Sequence, residues 1–420
     1  MIRRMLTSPV FYLLAPVVAS CFVWLVPGSS YRLRGFDVRA DANVGAWLLL
    51  ITFYAACAGL VWVGSRVGRV LGPSESLVTR TTSGRFQRRF SVVLTVFASI
   101  GVLYSMYLAQ QQTSIIEVLT ATQGNDLKET IGGVAGIATL RYTAAISAPV
   151  AMYVWKYSGG RLSLAVWNIL LLVASALFSS RLSMIMAVVV LIFLVFRLRG
   201  EIRFRAVPVV TSAALVFAAL TVFNYFRNAQ YYLASGVSDP VSMNFYQIAA
   251  YLGAPFQVSL GVANGIMNRG YSTSSDPISS ALLIVPTFLR PEGEGTGQAA
   301  ARSISQVVQV ASSLTTNSAF ANVFATYGWW GLGYILMTMF VAGWLFGYIS
   351  HFRSIVVVAG AVVAYSLAEM WRIFLFPQGL VVYLLLAILI ATAVGLSGDG
   401  HGRQSSRARI PQKSSPQRPA

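Results

Sequence analysis

Residues 43–90 read NVGAWLLLITFYAACAGLVWVGSRVGRVLGPSESLVTRTTSGRFQRRF: an apolar run, an arginine-rich break, and the entry to a second apolar run. No charge interrupts Asn43 to Gly64, whereas Ser65 to Arg89 holds Arg66, Arg69, Arg80, Arg85, Arg88 and Arg89 against the single acid Glu75. A hydrocarbon core about 30 Å thick is crossed by a helix of roughly 20 mostly apolar residues. Segments kept on the cytoplasmic side retain Lys and Arg, because moving these cations across the bilayer is disfavoured. The stretch therefore predicts a spanning helix, a cytoplasmic connection and the start of a returning helix.

The same alternation runs along the whole chain. Ten apolar segments are candidate spans: Pro9 to Val26, Asn43 to Gly64, Phe90 to Gln110, Gly136 to Trp155, Leu162 to Phe178, Leu182 to Phe196, Val207 to Tyr225, Trp329 to Tyr348, Ile355 to Trp371 and Gly379 to Leu396. Alternate gaps hold Arg3 and Arg4, the 65–89 break, Lys156 and Arg161, Arg197 to Arg205, Arg353, and five bases from Arg403 to Arg418. These gaps carry twenty of the 31 bases but only three of the 13 acids, a net +17; the rest of the chain carries +1. The pattern predicts both termini on the inner side. It also accounts for the overall +18 without nucleic acid as a partner.

Composition excludes a soluble globular domain. Only 10% of residues are charged and 56% are hydrophobic, where a soluble domain carries about 25% charge. The expected fold is an all-α polytopic membrane domain over residues 1–396, followed by a disordered cytoplasmic tail over 397–420, rich in Ser, Arg and Pro without apolar periodicity. Val18-Ala19-Ser20-Cys21 resembles a cleavage box, but the apolar run continues to Val26. A removed signal ends near its cleavage site, so a retained first helix is expected.

Two outer segments stand apart. One, Gln111 to Ala135, contains Glu117, Asp126, Lys128 and Glu129. The other is a long outer loop over about residues 226–328. Tyr246 to Met267, which contains Pro255, and Ile278 to Leu289, which contains Pro286, read as re-entrant or interfacial pieces of that loop. Ser303 and Gln306 fit a capping box. They head a predicted amphipathic helix whose apolar face is Ile304, Val307, Val308, Ala311 and Leu314. Non-helical backbone at membrane depth is covered by protein or lines a cavity, so an outward-facing cavity is expected.

Charges near the outer helix ends are costly to place and need a partner or a function. Arg181, Arg227, Arg290 and Arg372 are placed to flank such a cavity, and guanidinium groups grip phosphate with paired hydrogen bonds. Each taken alone also fits an arginine that extends to the lipid headgroups. Glu369 stands three residues before Arg372, close enough for a helical ion pair. Glu369, Asp276, Asp239 and Glu117 are candidates for a base, and the sequence does not choose among them. Cys21 and Cys57 lie in apolar runs, and His351 and His401 lie in inner segments. No metal spacing, phosphate-binding glycine loop or dinucleotide fingerprint is present, so no metal or cofactor is expected.

The stretch Ile284-Val285-Pro286-Thr287-Phe288-Leu289-Arg290-Pro291 leads through a polar section into Ala325-Thr326-Tyr327-Gly328-Trp329-Trp330-Gly331-Leu332-Gly333. With the helix count, the long outer loop and the Ser179-Ser180-Arg181 turn, this resembles the Wzy O-antigen and exopolysaccharide repeat-unit polymerases. The resemblance is specific over about residues 278–348. It implies an undecaprenyl-pyrophosphate-dependent glycosyltransferase at the outer face of the bacterial cytoplasmic membrane. Its partners would be lipid-linked oligosaccharide, membrane lipids and a polysaccharide chain-length regulator. The O-antigen ligases and the SEDS peptidoglycan polymerases share this architecture, and a lipid-linked glycan transporter or flippase is the non-enzyme alternative. The ligases rely on an outer histidine, and a transporter calls for internal repeats and broken helices.

Reporter fusions at Ser30, Thr120, Ala250 and Ala300 should report the outer side, and fusions at Glu75, Gly200 and Ile410 the inner side. An inner reading at Ala250 or Ala300 would overturn the assignment of the long loop.

Overall fold

Asn43 starts the first long helix, its side-chain oxygen accepting the Gly45 amide at 2.7 Å. The helix then runs from Val44 to Val70, 27 residues with no proline and no acid. At 1.5 Å per residue this is about 40 Å, enough to cross a bilayer.

The computed structural model describes residues 7–26, 32–36, 38–112, 137–179, 182–200, parts of 214–225, 228–273, 276–286, 289, 302–310 and 318–397. Regular structure among them is helical throughout. In chain order the helices are α1 (Pro9–Leu25), α2 (Val44–Val70), α3 (Glu75–Thr81) and α4 (Gly84–Gln112). A 3₁₀ turn (Ala138–Thr143) leads into α5 (Ala144–Ser158), followed by α6 (Leu162–Ser179) and α7 (Leu182–Arg199). The later elements are α8 (Pro240–Arg269), α9 (Pro277–Ala281), α10 (Ala319–Ile349), α11 (Val358–Ala368) and α12 (Gly379–Ser397). Four of them, α2, α4, α10 and α12, are long and apolar enough to cross a membrane, and α1, α6 and residues 355–368 are shorter apolar helices. The expected span from Val207 to Tyr225 lies mostly outside the described residues, as does the tail after Ser397.

The main packing contact joins α2 to α10 through four glycines. A methyl built on Gly64 would lie 2.2 Å from the Phe340 carbonyl oxygen, and one on Gly68 would lie 2.0 Å from that of Trp344. Reciprocally, Gly343 faces the Val61 carbonyl and Gly347 that of Ser65, each at 2.3 Å for such a methyl. Both pairs are spaced Gly-x-x-x-Gly, which puts them on one helix face and lets two backbones touch. In lipid, where apolar burial gives no net drive, this close packing holds helices together.

The described parts of the basic segments collect at one end of the bundle. Ser354 donates to Thr81 at 3.0 Å, and Arg80 to the Leu396 carbonyl at 3.2 Å. Arg197 bonds the Ser350 carbonyl, Ser158 bonds Gln87, and the Arg199 guanidinium lies 3.9 Å over the Tyr157 ring. At the other end Gln257 of α8 accepts from the Trp24 indole at 2.7 Å and the Ala40 amide at 2.9 Å. There too Asn264 donates to the Asp41 carbonyl at 2.7 Å.

In the long loop, the interruption expected within Tyr246 to Met267 is absent, although its helix is not among the described helices long and apolar enough to cross a membrane, and the helix expected from Ser303 is shorter. Tyr246 to Met267 belongs to one continuous helix of 30 residues. Asp239 caps its start, Pro240 occupies its first turn, and Gly270 ends it in the left-handed conformation. Pro255 lies within it without ending it, and the Ser259 hydroxyl donates to the Pro255 carbonyl at 2.9 Å. The amphipathic helix expected from Ser303 shrinks to a single turn at residues 302–305. The Ser303 hydroxyl is engaged with the Tyr271 hydroxyl, not with an amide of its own turn. The apolar side chains still bury as expected: Ile304 and Val308 are covered, with Val307 and Val308 docked on Gly265 and Gly261 of α8. Ala311 and Leu314 lie outside the described residues.

The stretch on which the resemblance rests folds back on itself. Tyr334 donates to the Pro277 carbonyl at 3.0 Å and Ser280 to the Tyr327 carbonyl at 3.3 Å. Between them α10 breaks at Gly328 (φ 55°, ψ −146°), a backbone conformation essentially reserved for glycine. The apolar helix thus restarts at Trp329, where the sequence places the start of a span.

Replacing Gly343 by Ala should lower the thermal midpoint in detergent by the equivalent of roughly 1–3 kcal/mol, the cost of overpacking. Gly333→Ala on the same helix, with nothing within 4 Å of the added methyl, should leave it unchanged or higher. Equal effects at the two sites would remove the glycine contact as the cause.

Candidate functional site

α11 is buried along nearly its whole length and ends at Ala368. Its C-terminal end places Glu369 where the helix's unpaired carbonyls make the potential negative, a poor location for a carboxylate. Arg372, one turn on, answers this: its Nε donates to the Glu369 Oε2, and the two side chains are 9% and 15% exposed. The turn is fixed by the backbone. The Arg372 and Ile373 amides both bond the Glu369 carbonyl, at 2.9 and 2.8 Å.

Two tyrosines complete the cluster. Tyr365, four residues before Glu369 and so on the same helix face, is buried with its hydroxyl in electrostatic reach of both Glu369 and Arg372. Tyr251, from α8, adds only the weakest of the electrostatic influences on Arg372. The cluster combines an anion, a cation and two hydroxyls in a nearly dry setting. Such a set can accept a proton, donate hydrogen bonds to a developing oxyanion, and pair with a phosphate. Removing one partner of a buried pair leaves the other charge uncompensated.

Asp276 is placed differently. It is the N-cap of α9, its Oδ1 accepting the Ile278 and Ser279 amides at 2.8 and 2.9 Å and its Oδ2 the Ser279 hydroxyl. The Ser279 hydroxyl and the amides hold its carboxyl below the usual aspartate range. A weakly basic carboxylate with its oxygens engaged suits a cap better than a general base. The sign follows: this cap contributes above the ordinary aspartate pKa and is lost as pH falls through the lowered value. Asp239 caps α8 in the same way, through Ser242.

Of the six residues expected at the site, the structure brings together Glu369 and Arg372 and sets Asp276 at a helix start. Arg181, Arg227 and Arg290 lie outside the described residues, and so does Glu117. The two tyrosines were not expected. Tyr365 was within reach of the sequence, by its i, i+4 relation to Glu369. Tyr251 comes from a distant helix and carried no local signal. No family model, curated protein or solved structure matches the chain.

Arg372→Ala should cost about 3 kcal/mol of stability, the lower end for breaking a buried pair by removing one partner. Arg372→Lys should recover most of that stability but not the activity, since a point charge does not reproduce the guanidinium fork. Thermal denaturation and product formation, measured side by side, check this. Full activity in the lysine variant would remove the phosphate-pairing role.

Proposed function

We propose that the chain is an integral-membrane glycosyltransferase that polymerises oligosaccharide repeat units carried on undecaprenyl pyrophosphate. The observation that carries the reading is the nearly buried Glu369–Arg372 pair with Tyr365 and Tyr251. It lies beyond the C-terminal end of an apolar helix, in a chain whose basic segments collect at the other end. The resemblance of residues 278–348 to the Wzy polymerases supports the same reading. Under the positive-inside rule the end opposite the basic segments faces out, with both termini in the cytoplasm.

A hydroxyl of the incoming repeat unit attacks the anomeric carbon of the sugar at the reducing end of the growing chain. The new carbon–oxygen bond forms as the bond to the pyrophosphate oxygen breaks, and undecaprenyl pyrophosphate leaves with the bonding electrons. The attacking hydroxyl's proton passes to the Glu369 carboxylate. Arg372 turns from Glu369 to the departing pyrophosphate, which neutralises the developing charge and frees the carboxylate as the proton arrives. Arg181, Arg227 and Arg290 are proposed as further arginines of this clamp. The lipid pyrophosphate supplies the driving force as leaving group, so the step requires neither nucleotide nor metal.

Purified protein given only undecaprenyl-pyrophosphate-linked repeat units should produce a ladder of longer lipid-linked glycans, unaffected by EDTA. Single units that stay single while crossing liposome membranes would establish a flippase instead. Glycan transfer to a different acceptor lipid would establish a ligase.

A further inference from the structure

The Tyr365 hydroxyl makes no hydrogen bond, although the residue is only 2% exposed. A buried tyrosine hydroxyl normally has a partner, because leaving it unmade is costly. The ring packs in the main core with its neighbours on α11. A phenylalanine would fill the same space without the cost. The resting fold therefore carries a polar group that it does not use, one turn from the Glu369–Arg372 pair.

Backbone geometry ties this hydroxyl to the pair. The Glu369 amide donates to the Tyr365 carbonyl at 3.0 Å, so the turn between them is helical and both side chains stand on one face. Helical side chains lean toward the N-terminus, which lays the Glu369 carboxylate over the turn that carries Tyr365. Glu369 Oε2 is meanwhile taken by the Arg372 Nε. The carboxylate thus has one donor in use and a second, buried and unused, on its own helix face.

We propose that Tyr365 is a positioning residue whose hydroxyl donates to the Glu369 carboxylate when Arg372 leaves it for a pyrophosphate. The inference rests on the polymerase reading, in which Arg372 turns to the departing group. That turn strips a nearly buried carboxylate of its cation, and an uncompensated buried charge is costly. A charge-assisted hydrogen bond from Tyr365 offsets part of the cost and fixes the carboxylate's orientation. Tyr365 forms no covalent bond, and its proton stays on its own oxygen. The exchange of partners also regulates the site. Glu369 is released as a base only when a pyrophosphate holds Arg372, so proton removal waits for the leaving group.

The test compares full-length wild type with Tyr365→Phe in detergent. The variant should keep or raise the thermal midpoint, since it removes an unmade hydrogen bond. It should keep KM for the lipid-linked repeat unit but lower kcat about 10-fold, the order expected for losing a hydrogen bond to a charged group. A second measurement needs no turnover. Adding sugar-free undecaprenyl pyrophosphate to wild type should change the tyrosine C–O region of the infrared difference spectrum, and that change should vanish in Tyr365→Phe. Full kcat in the variant would overturn the proposal, as would carrier binding without the tyrosine change. A variant that loses stability or fails to fold would overturn it too, by showing that the hydroxyl already serves the resting structure. Wild type that shows the tyrosine change with the carrier but builds no ladder would sink the polymerase reading and leave the exchange of partners standing. Wild type that neither builds a ladder nor binds the carrier would overturn both.

Discussion

Gly64 and Gly68 lie against the backbone of α10, and Gly343 and Gly347 lie against the backbone of α2. This reciprocal contact joins a helix from the first sixth of the chain to one from the last quarter. No apolar drive holds two helices together in lipid, so the absence of side chains at four positions is what permits the approach. Other contacts then take their places from it. The C-terminal end of α2 sets the turn that carries α3, and Thr81 of α3 receives Ser354 just before α11. α11 then reaches Glu369 through a nearly wholly buried helix. The position of the charged cluster therefore depends on glycine packing at the opposite end of the molecule.

The charge asymmetry and the structure describe the same division of the chain in different terms. Cations in the sequence mark alternate gaps, and the hydrogen bonds among Arg80, Thr81, Arg197, Ser350 and Ser354 gather those gaps at one end. The other end is held by neutral groups instead. Gln257 uses its oxygen and its amide nitrogen to fasten the segment from Trp24 to Ala40 onto α8.

Much of this was legible in residue types. The arginine-rich stretch after Gly64 marks the reversal between α2 and α4, although both helices run into it, α2 to Val70 and α4 from Gly84, with α3 between them; the restart of α10 at Trp329 follows from Gly328. The full extent of α8 was missed, although Asp239-Pro240 and Gly270 are ordinary start and stop signals. Pro255 and the polar residues around it looked like interruptions because the helix's polar face has partners that sequence does not reveal. Glycine spacing announced close packing, but not that α2 and α10 were the partners, since the match lies almost 280 residues away along the chain. The Glu369–Arg372 pair was visible from local spacing. Tyr251, brought in by tertiary packing alone, was not.

An ion pair this well covered invites a purely structural role, and one exchange separates the two possibilities. Glu369→Arg combined with Arg372→Glu keeps both charges. It also puts the cation at the helix C-terminus, where the potential favours it. If the pair is the reaction centre, the exchanged protein should unfold within a few degrees of wild type yet build no lipid-linked glycan ladder. Wild-type ladder formation by the exchanged protein would show that the pair only holds the fold, and would contradict the account.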